Sequence, residues 1–322
     1  MGQYTQLTQE KRYQIYAFMK ANFSKTQIAS EIGVHKSTVS REMKRNRGKK
    51  GYRPKQAHFM AAQRRQKAKK YVRLTPEVID LIERFLCKDF SPEQICGFLA
   101  RTHNFRISHE TIYKYVLSDK AKGGNLYRHL RNSHKKRKKR YGSYDNRGHI
   151  KGRISIDERP AIVDTRKRIG DWEIDTIIGK RHKGALLTLV ERKTKLTLIR
   201  KLPRKQADLV AEAAIDLLDP YKGKVLTITA DNGQEFAHHE YIKEHLKAKV
   251  YFAHPYHAWE RGLCENTNGL IRQYFPKGMN FETITNEHIQ LAMNRLNNRP
   301  RKTLGYKTPN EVFFQAVMKQ AA

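Results

Sequence analysis

Two hydrophobic rhythms divide this chain. Up to about residue 118 apolar residues recur at helical spacing; from about residue 170 short β-branched runs alternate with helical stretches. In the first region Thr8 is placed to cap a helix running to about Lys20, with Tyr13, Ile15, Tyr16, Phe18 and Met19 as its apolar set. Ser24 caps a short second helix carrying Ile28, Ala29 and Ile32; Gly33 supplies a tight turn and Val34 packs inward. A third helix runs from Lys36 to about Arg45 around a buried Val39. A small Ala at the crossing, a turn Gly and an inward Val are the grammar of a helix-turn-helix. The exposed face of the third helix would offer His35, Lys36, Ser37, Thr38, Arg41, Lys44 and Arg45 to a DNA major groove. The plainer alternative is a small helical bundle with a solvated basic face.

Residues 74–118 read as a degenerate second copy. Thr75-Pro76-Glu77 and Ser91-Pro92-Glu93-Gln94 each place an N-cap before a proline at the tolerated first helical position. Ile107-Ser108-His109-Glu110-Thr111 then leads into a helix with Ile112, Tyr113, Tyr115 and Val116. As a second DNA-reading unit it would present Ser108, His109, Thr111 and Lys114; otherwise it dimerises or braces the first. We expect domains at 1–50 and 74–118, joined by a basic linker or solvated helix at 51–73 and followed by a basic linker at 119–160. The second linker holds Gly123-Gly124 and the run Lys135-Lys136-Arg137-Lys138-Lys139-Arg140, suited to condense along phosphates without reading bases.

Beyond residue 170 the predicted strands are 172–178, 185–191, 196–202, 225–230 and 249–253, and the predicted helices 205–218, 235–247, 260–275 and 286–298. Three neighbouring strands, then alternating helices and strands, suggest a mixed sheet covered by helices. The fold class is therefore multidomain: N-terminal all-α units, then an α/β domain of ribonuclease H-like order over 161–322 with a helical C-terminal tail. In that order the first and fourth strands lie side by side.

Charge narrows the partners. The 322 residues carry 65 Lys and Arg against 31 Asp and Glu, a net of +34. Residues 1–150 hold 35 basic and 11 acidic residues, so most of the excess lies in the helical half. Such a chain attracts polyanions, nucleic acid first, with anionic membranes or polysaccharides using the same sign. Cys87, Cys96 and Cys264 show no C-x-x-C or zinc-finger spacing, and free thiols in an intracellular protein are expected. No apolar run approaches the ~18 residues of a membrane span.

Three carboxylates carry the chemistry. Asp175 lies in Trp172-Glu173-Ile174-Asp175, Asp231 in Thr229-Ala230-Asp231-Asn232-Gly233, and Glu265 in Glu265-Asn266-Thr267-Asn268-Gly269. Charge inside an apolar run is costly unless compensated. Brought together, these groups would repel by roughly 4 kcal/mol per pair at 4 Å and an effective dielectric near 20. Divalent metal is the cheapest remedy, and two Mg²⁺ ions are standard machinery for phosphodiester chemistry. Asp171, Glu173 and Asp175 share one strand face. Asp171 stands at the entrance, where water should satisfy it; Asp175 lies deepest, and Glu173 remains the alternative. Asp231 ends its run before a forced turn, at a strand end where α/β ligands collect. On the Glu265 helix Gly269 would let DNA approach, Arg272 would hold a phosphate, and Leu270, Ile271, Tyr274 and Phe275 would pack inward. His238-His239 and His254-x-x-His257 invite a zinc reading but lack cysteine partners and further carboxylates at ligand spacing. His254, Tyr256 and His257 are instead expected to line the loop before the Glu265 helix. Tyr256 as a covalent nucleophile lacks the Arg-His constellation that chemistry requires.

Together the Trp-Glu-x-Asp strand, the Asp-Asn-Gly-x-Glu-Phe turn and the Glu-Asn-x-Asn-Gly helix resemble the DDE transposase and retroviral integrase superfamily. Glu265 follows Asp231 by 34 positions, close to the spacing typical there. The chain more closely resembles the IS-thirty family of bacterial insertion-sequence transposases. Arg168 to Glu173, Trp259 to Gly262, Gly269 to Gly278 and Asn298 to Tyr306 carry that likeness, and Leu263-Cys264 depart from its expected small or polar residues. The resemblance implies a recombinase of the bacterial cytoplasm, associated with the nucleoid, that binds the inverted repeats of its element and joins them to target DNA. Asp175, Asp231 and Glu265 would be both catalytic and metal-binding, holding two Mg²⁺ ions for which Mn²⁺ can substitute. Double-stranded DNA is the partner, and at least a dimer is implied because two ends must be held at once. A retroviral-type integrase would need a His/Cys zinc module at the N-terminus. A repressor with an inactive integrase-like domain is the non-enzymatic alternative.

Overall fold

The computed structural model describes residues 6–68, 74–131, 150–255 and 257–319, which fall into two compact units, Met1–Arg73 and Leu74–Ala322. The basic run 135–140 and Tyr256 lie outside the described residues.

In the first unit, helix α1 is Gln9–Lys20, α2 Lys25–Glu31 and α3 Lys36–Arg45. Thr8 caps α1 by accepting from the Lys11 amide, and Ser24 forms a reciprocal capping box with Gln27. Gly33 takes the left-handed conformation the turn requires. Ile15, Ile28, Ala29, Ile32 and Val39 close the core. Tyr13, expected inward, is exposed, and the neighbouring position carries the burial instead: Arg12 pairs with Glu42 at 2.7 Å and donates to the Leu7 carbonyl. The stretch 51–73, expected as a basic linker or a solvated helix, is helical from Pro54 to Lys67. Strands β1 (Arg47–Gly48) and β2 (Gly51–Tyr52) form a hairpin that leads into α4 (Pro54–Lys67). Tyr52 and Ala57 join the core, while Arg64 donates to the Asn46 side chain at 2.6 Å. With so small a buried set, α4 leaves little hydrophobic periodicity to read.

The second unit begins with α5 (Pro76–Cys87), α6 (Pro92–Thr102) and α7 (His109–Ala121), capped by Thr75, Ser91 and Ser108. Ile82, Leu86, Ile95, Leu99, Ile112 and Val116 form their core. This module is braced against the sheet-bearing part of the same unit. Asp89 takes Arg295 at 2.7 Å and the Tyr274 hydroxyl at 3.0 Å, and Arg101 pairs with Glu311 at 3.0 Å. Gly97 lies so close to the Tyr306 ring that a Cβ there would collide with it.

Strand β3 (Ile154–Ser155) and the short α8 (Ile162–Thr165) precede β4 (Asp171–Ile178), β5 (Ala185–Glu191) and β6 (Thr197–Leu202). Helix α9 (Ala207–Leu218), β7 (Thr227–Ala230), α10 (His239–Leu246) and β8 (Lys249–Phe252) follow, then α11 (Gly262–Ile271), α12 (Asn286–Asn297) and α13 (Pro309–Lys319). The six-stranded order is β3-β8-β7-β4-β5-β6. β4, β5 and β6 are antiparallel neighbours, whereas β4, β7, β8 and β3 run parallel. A three-stranded meander extended by parallel crossovers, with helices on both faces, is the ribonuclease H-like arrangement expected. Strand β3 is too short to show a period-two pattern and was folded into the anticipated linker.

Alternation along β4 assigns its faces. Trp172 and Ile174 join the core under α9, α10 and α13, and Ile177 joins the cluster under α11 and α12. Asp171, Glu173 and Asp175 therefore share the α11 side. Among the described residues no helix is long and apolar enough to cross a membrane.

Candidate active site

The β4–β7 register pairs Asp171 with Thr227 and Glu173 with Thr229. Continued two residues further, it sets Asp175 beside Asp231 at the carboxyl ends of two parallel strands. Each aspartate is held by a backbone amide on one oxygen: Thr176 N donates to Asp175 Oδ1 at 2.8 Å, and Gly233 N to Asp231 Oδ1 at 2.9 Å. Their Oδ2 atoms share a single cation. Arg261 Nη2 lies 3.2 Å from Asp231 Oδ2, its Nη1 lies 3.7 Å from Asp175 Oδ2, and Nη1 also donates to the Ile174 carbonyl. Asn268 Nδ2 donates to Asp175 Oδ2 at 2.8 Å, and Thr188 fixes that amide by donating to Asn268 Oδ1.

Burial pushes the Asp175 carboxyl up to about 6; Arg261 opposes the rise and the Asp231 charge adds to it. Burial works against the charge of Arg261, yet Asp175 and Asp231 more than offset it and raise the guanidinium above its ordinary value. The position is one where positive charge is wanted. Its donors are carboxylate oxygens, the hard set that Mg²⁺ prefers, so these residues fit a divalent ion.

Glu173 is committed elsewhere. It is fully buried, pairs with Arg192 at 2.8 Å, and accepts from the Cys264 amide in the first turn of α11. Asp171 is not satisfied by water as expected. It is buried, takes a two-pronged contact from Arg168 at 2.8 and 2.9 Å, and accepts from Thr227 Oγ1. The entrance of β4 is covered, which the strand pattern alone could not show.

Glu265 is exposed on α11. Cys264 contacts Glu173, Asn268 contacts Asp175, and Ile271 packs in the cluster with Ile177, so positions i, i+4 and i+7 of the helix face β4. Glu265 flanks that line rather than lying on it, and Asp175, Asp231 and Glu265 do not form a cluster whose ligand atoms all lie within 4.8 Å of one another. Leu270, Ile271 and Phe275 pack inward, with Tyr274 half-buried. Arg272, expected to hold a phosphate, donates to the Ile178 and Phe275 carbonyls and lies 5.7 Å from the Phe281 ring centroid.

The site also contains residues the pattern reading passed over. Arg261 was visible only as part of a motif. Glu235 is buried against Lys205 at 2.6 Å and Thr176 at 2.9 Å, and a Cβ on Gly233 would strike it. Among the described residues, the cluster able to share an ion is His254, His257 and Glu260, whose carboxylate supplies the ligand the spacing had not suggested. His254 already contacts Glu260 and Asp157 at 2.8 and 2.9 Å, and those hydrogen bonds raise its pKa. His239 is buried edge-on against Phe252.

On the first unit His35 caps α3 and, like Lys36, Arg41, Lys44 and Arg45, is exposed; Ser37 and Thr38 are half-buried. Thr38, Arg41 and Arg45 line a groove with Arg64 and Arg65 of α4, two cations assigned to the linker. On α7 Ser108, His109 and Lys114 are exposed and Thr111 is half-buried.

A helix-turn-helix domain family matches residues 3–46. Three relatives align along nearly the whole chain. The transposase for insertion sequence element IS4351 of Bacteroides fragilis is 49% identical, covering 97% of this chain and 96% of its own length. Transposase InsI for element IS30A of Escherichia coli is 37% identical, over 97% and 84% respectively. The transposase for element IS1086 of Cupriavidus metallidurans is 34% identical, over 98% and 96%.

Proposed function

The chain belongs to the IS-thirty family of insertion-sequence transposases, and we propose that Asp175, Asp231 and Glu265 form its catalytic centre. It is a DNA transposase, a polynucleotidyl transferase whose N-terminal helix-turn-helix binds DNA. The observation that carries the residue assignment is the sharing of one arginine by two aspartates at adjacent parallel strand ends.

Asp175 and Asp231 would hold divalent metal through the oxygens that face Arg261, with Glu265 completing the set from α11. Mg²⁺ fits the donors, with two ions as the working number and Mn²⁺ able to replace it. When bound, the metal supplies charge stabilisation at the reacting phosphodiester and an activated water or 3′-hydroxyl. The protein's part is positional. Thr176 and Gly233 amides fix one oxygen of each aspartate, Asn268 orients Asp175, and Arg261 keeps the pair together until its charge is replaced. For Glu265 to join, the start of α11 must turn toward Asp175; release of Arg261, four residues earlier, is the natural trigger.

The α3 residues His35, Lys36, Ser37, Thr38, Arg41, Lys44 and Arg45 would read the terminal inverted repeats, with Arg64 and Arg65 adding phosphate contacts. Ser108, His109, Thr111 and Lys114 would make a second reading surface, and Arg272 would reach DNA only after leaving its present carbonyl partners. The 135–140 run would tether the backbone. At least a dimer would act, in the bacterial cytoplasm at the nucleoid.

The test is nicking of a duplex bearing the element's end, with Mg²⁺ or Mn²⁺, at matched DNA occupancy. Wild type should cut at the element boundary and Asp231→Asn should not. Equal cutting by the two would remove the catalytic assignment and favour a DNA-binding protein with an inactive core.

A further inference from the structure

The chain has two tryptophans with opposite fates: Trp172 is buried, whereas Trp259 is 72% exposed. Trp259 lies in a short 3-10 turn, Ala258–Arg261, whose next two residues are already engaged. Glu260 contacts His254, and Arg261 bridges Asp175 and Asp231. The indole is set edge-on to His257 with centroids 4.4 Å apart, and His257 is itself pinned by the Pro255 carbonyl. An aromatic plane is thus held beside the reacting centre and left in solvent.

Trp259 also lines a cavity of about 440 Å³ with Arg159, Arg166 and Arg192. Arg159 and Arg192 are buried, and among the described residues the Nε of each has no hydrogen-bond partner. The Nη2 atoms of both reach Asp164, at 2.5 and 3.0 Å, while Nη1 of Arg159 donates to Thr229 and Nη1 of Arg192 to Glu173. With Asp157 and Glu260 the cavity counts three cations and three carboxylates. That balance offers little net attraction for a phosphate. It does offer directed donors, acceptors and an aromatic rim, the combination that suits the edge and face of a nucleobase.

We propose that this cavity receives one nucleobase drawn out of the duplex at the element end, its face on Trp259 and its edge toward Arg159 and Arg192. The proposal rests on the transposase reading and adds to it a base-holding subsite beside Asp175 and Asp231. Removing the base from the stack would hold the strand end in place for attack.

The experiment pairs Trp259→Ala with a series of element-end duplexes in which an abasic site is stepped through the nucleotides around the cleavage junction. Binding and single-turnover nicking are measured for each, with Trp259→Phe as a stacking-competent control. On the intact end Trp259→Ala should lose about 5- to 150-fold, the range for one stacked base, and Trp259→Phe should recover most of it. At one abasic position wild type and Trp259→Ala should become equal. An equal loss at every abasic position, or no loss on the intact end, would overturn the subsite. A shorter duplex carrying the repeat but not the junction separates the two levels: both proteins should bind it alike. Failure of wild type to recognise that duplex would remove the transposase reading and the subsite with it.

Discussion

Two parts of the β4 face carry acidic residues and hold them in opposite ways. At the base, Asp171 and Glu173 are held by different arginines, Arg168 and Arg192, the second of which also takes Asp164, with further donors from Thr227 and the Cys264 amide. At the mouth, Asp175 and Asp231 divide one arginine, at 3.7 and 3.2 Å. The base is a closed account of charge, useful for anchoring α11 on the strand. The mouth is under-compensated, which is why burial drives Asp175 up. Acidity on a strand does not by itself mark a reacting group; on the proposed reading a shared and replaceable counter-charge does.

The largest expected effect that separates the two parts is on activity. Asp175→Asn should lower end nicking by about a thousandfold or more, on the scale of removing a principal transition-state stabiliser. Circular dichroism should show its fold unchanged. Retained nicking by Asp175→Asn would collapse the distinction from the functional side.

Stability should show the reverse order. Glu173→Gln removes the buried one of the two carboxylates that hold Arg192, leaving only Asp164, and should cost up to about 3–5 kcal/mol in urea unfolding. Asp175→Asn removes a strained charge and should be neutral or stabilising at pH 8. If both variants lose stability equally, the mouth is as tightly compensated as the base.

A third difference lies in pH. The folded-state pKa of Asp175 is raised from 3.8 to about 6, so its contribution is most favourable below pH ~4 and is lost as pH rises through 6. In EDTA, wild type should therefore lose up to about 3 kcal/mol relative to Asp175→Asn between pH 4 and 7. Parallel stability curves for the two proteins would contradict the assignment. The smallest effect concerns Arg261. Without the guanidinium to displace, Arg261→Gln should bind Mn²⁺ a few-fold more tightly in the absence of DNA, read by titration calorimetry. Weaker binding would make Arg261 a supporter of the metal rather than its stand-in.

Much of this was legible from spacing. The α3 limits, the caps at Thr8, Ser24 and Ser91, and strand β5 follow from local chemistry, because caps and alternation are written within a few residues. Depth in the run favours Asp175 at the level of sequence, yet Glu173 is fully buried and Asp175 only half-buried; Asp175 stands out instead by dividing Arg261 with Asp231. What escaped depends on long-range pairing. Asp171 is covered by Thr227 and Arg168, Arg261 reaches the aspartates from 86 and 30 positions away, and α4 folds on so few buried residues that its sequence reads equally as a linker or a solvated helix. Glu265 illustrates the limit of motif reasoning: its spacing matches the family, but its side chain is exposed on α11, flanking the line of contacts with β4.

The central claim is that Asp175, Asp231 and Glu265 act on one metal centre when DNA is bound. Fe²⁺ exchanged into the protein–DNA complex, with ascorbate and peroxide, cuts the polypeptide where the ion sits. The account predicts backbone cleavage near residues 175, 231 and 265, suppressed by excess Mg²⁺ and by Asp231→Asn. Cleavage confined to residues 254–260, around His254, His257 and Glu260, would contradict it.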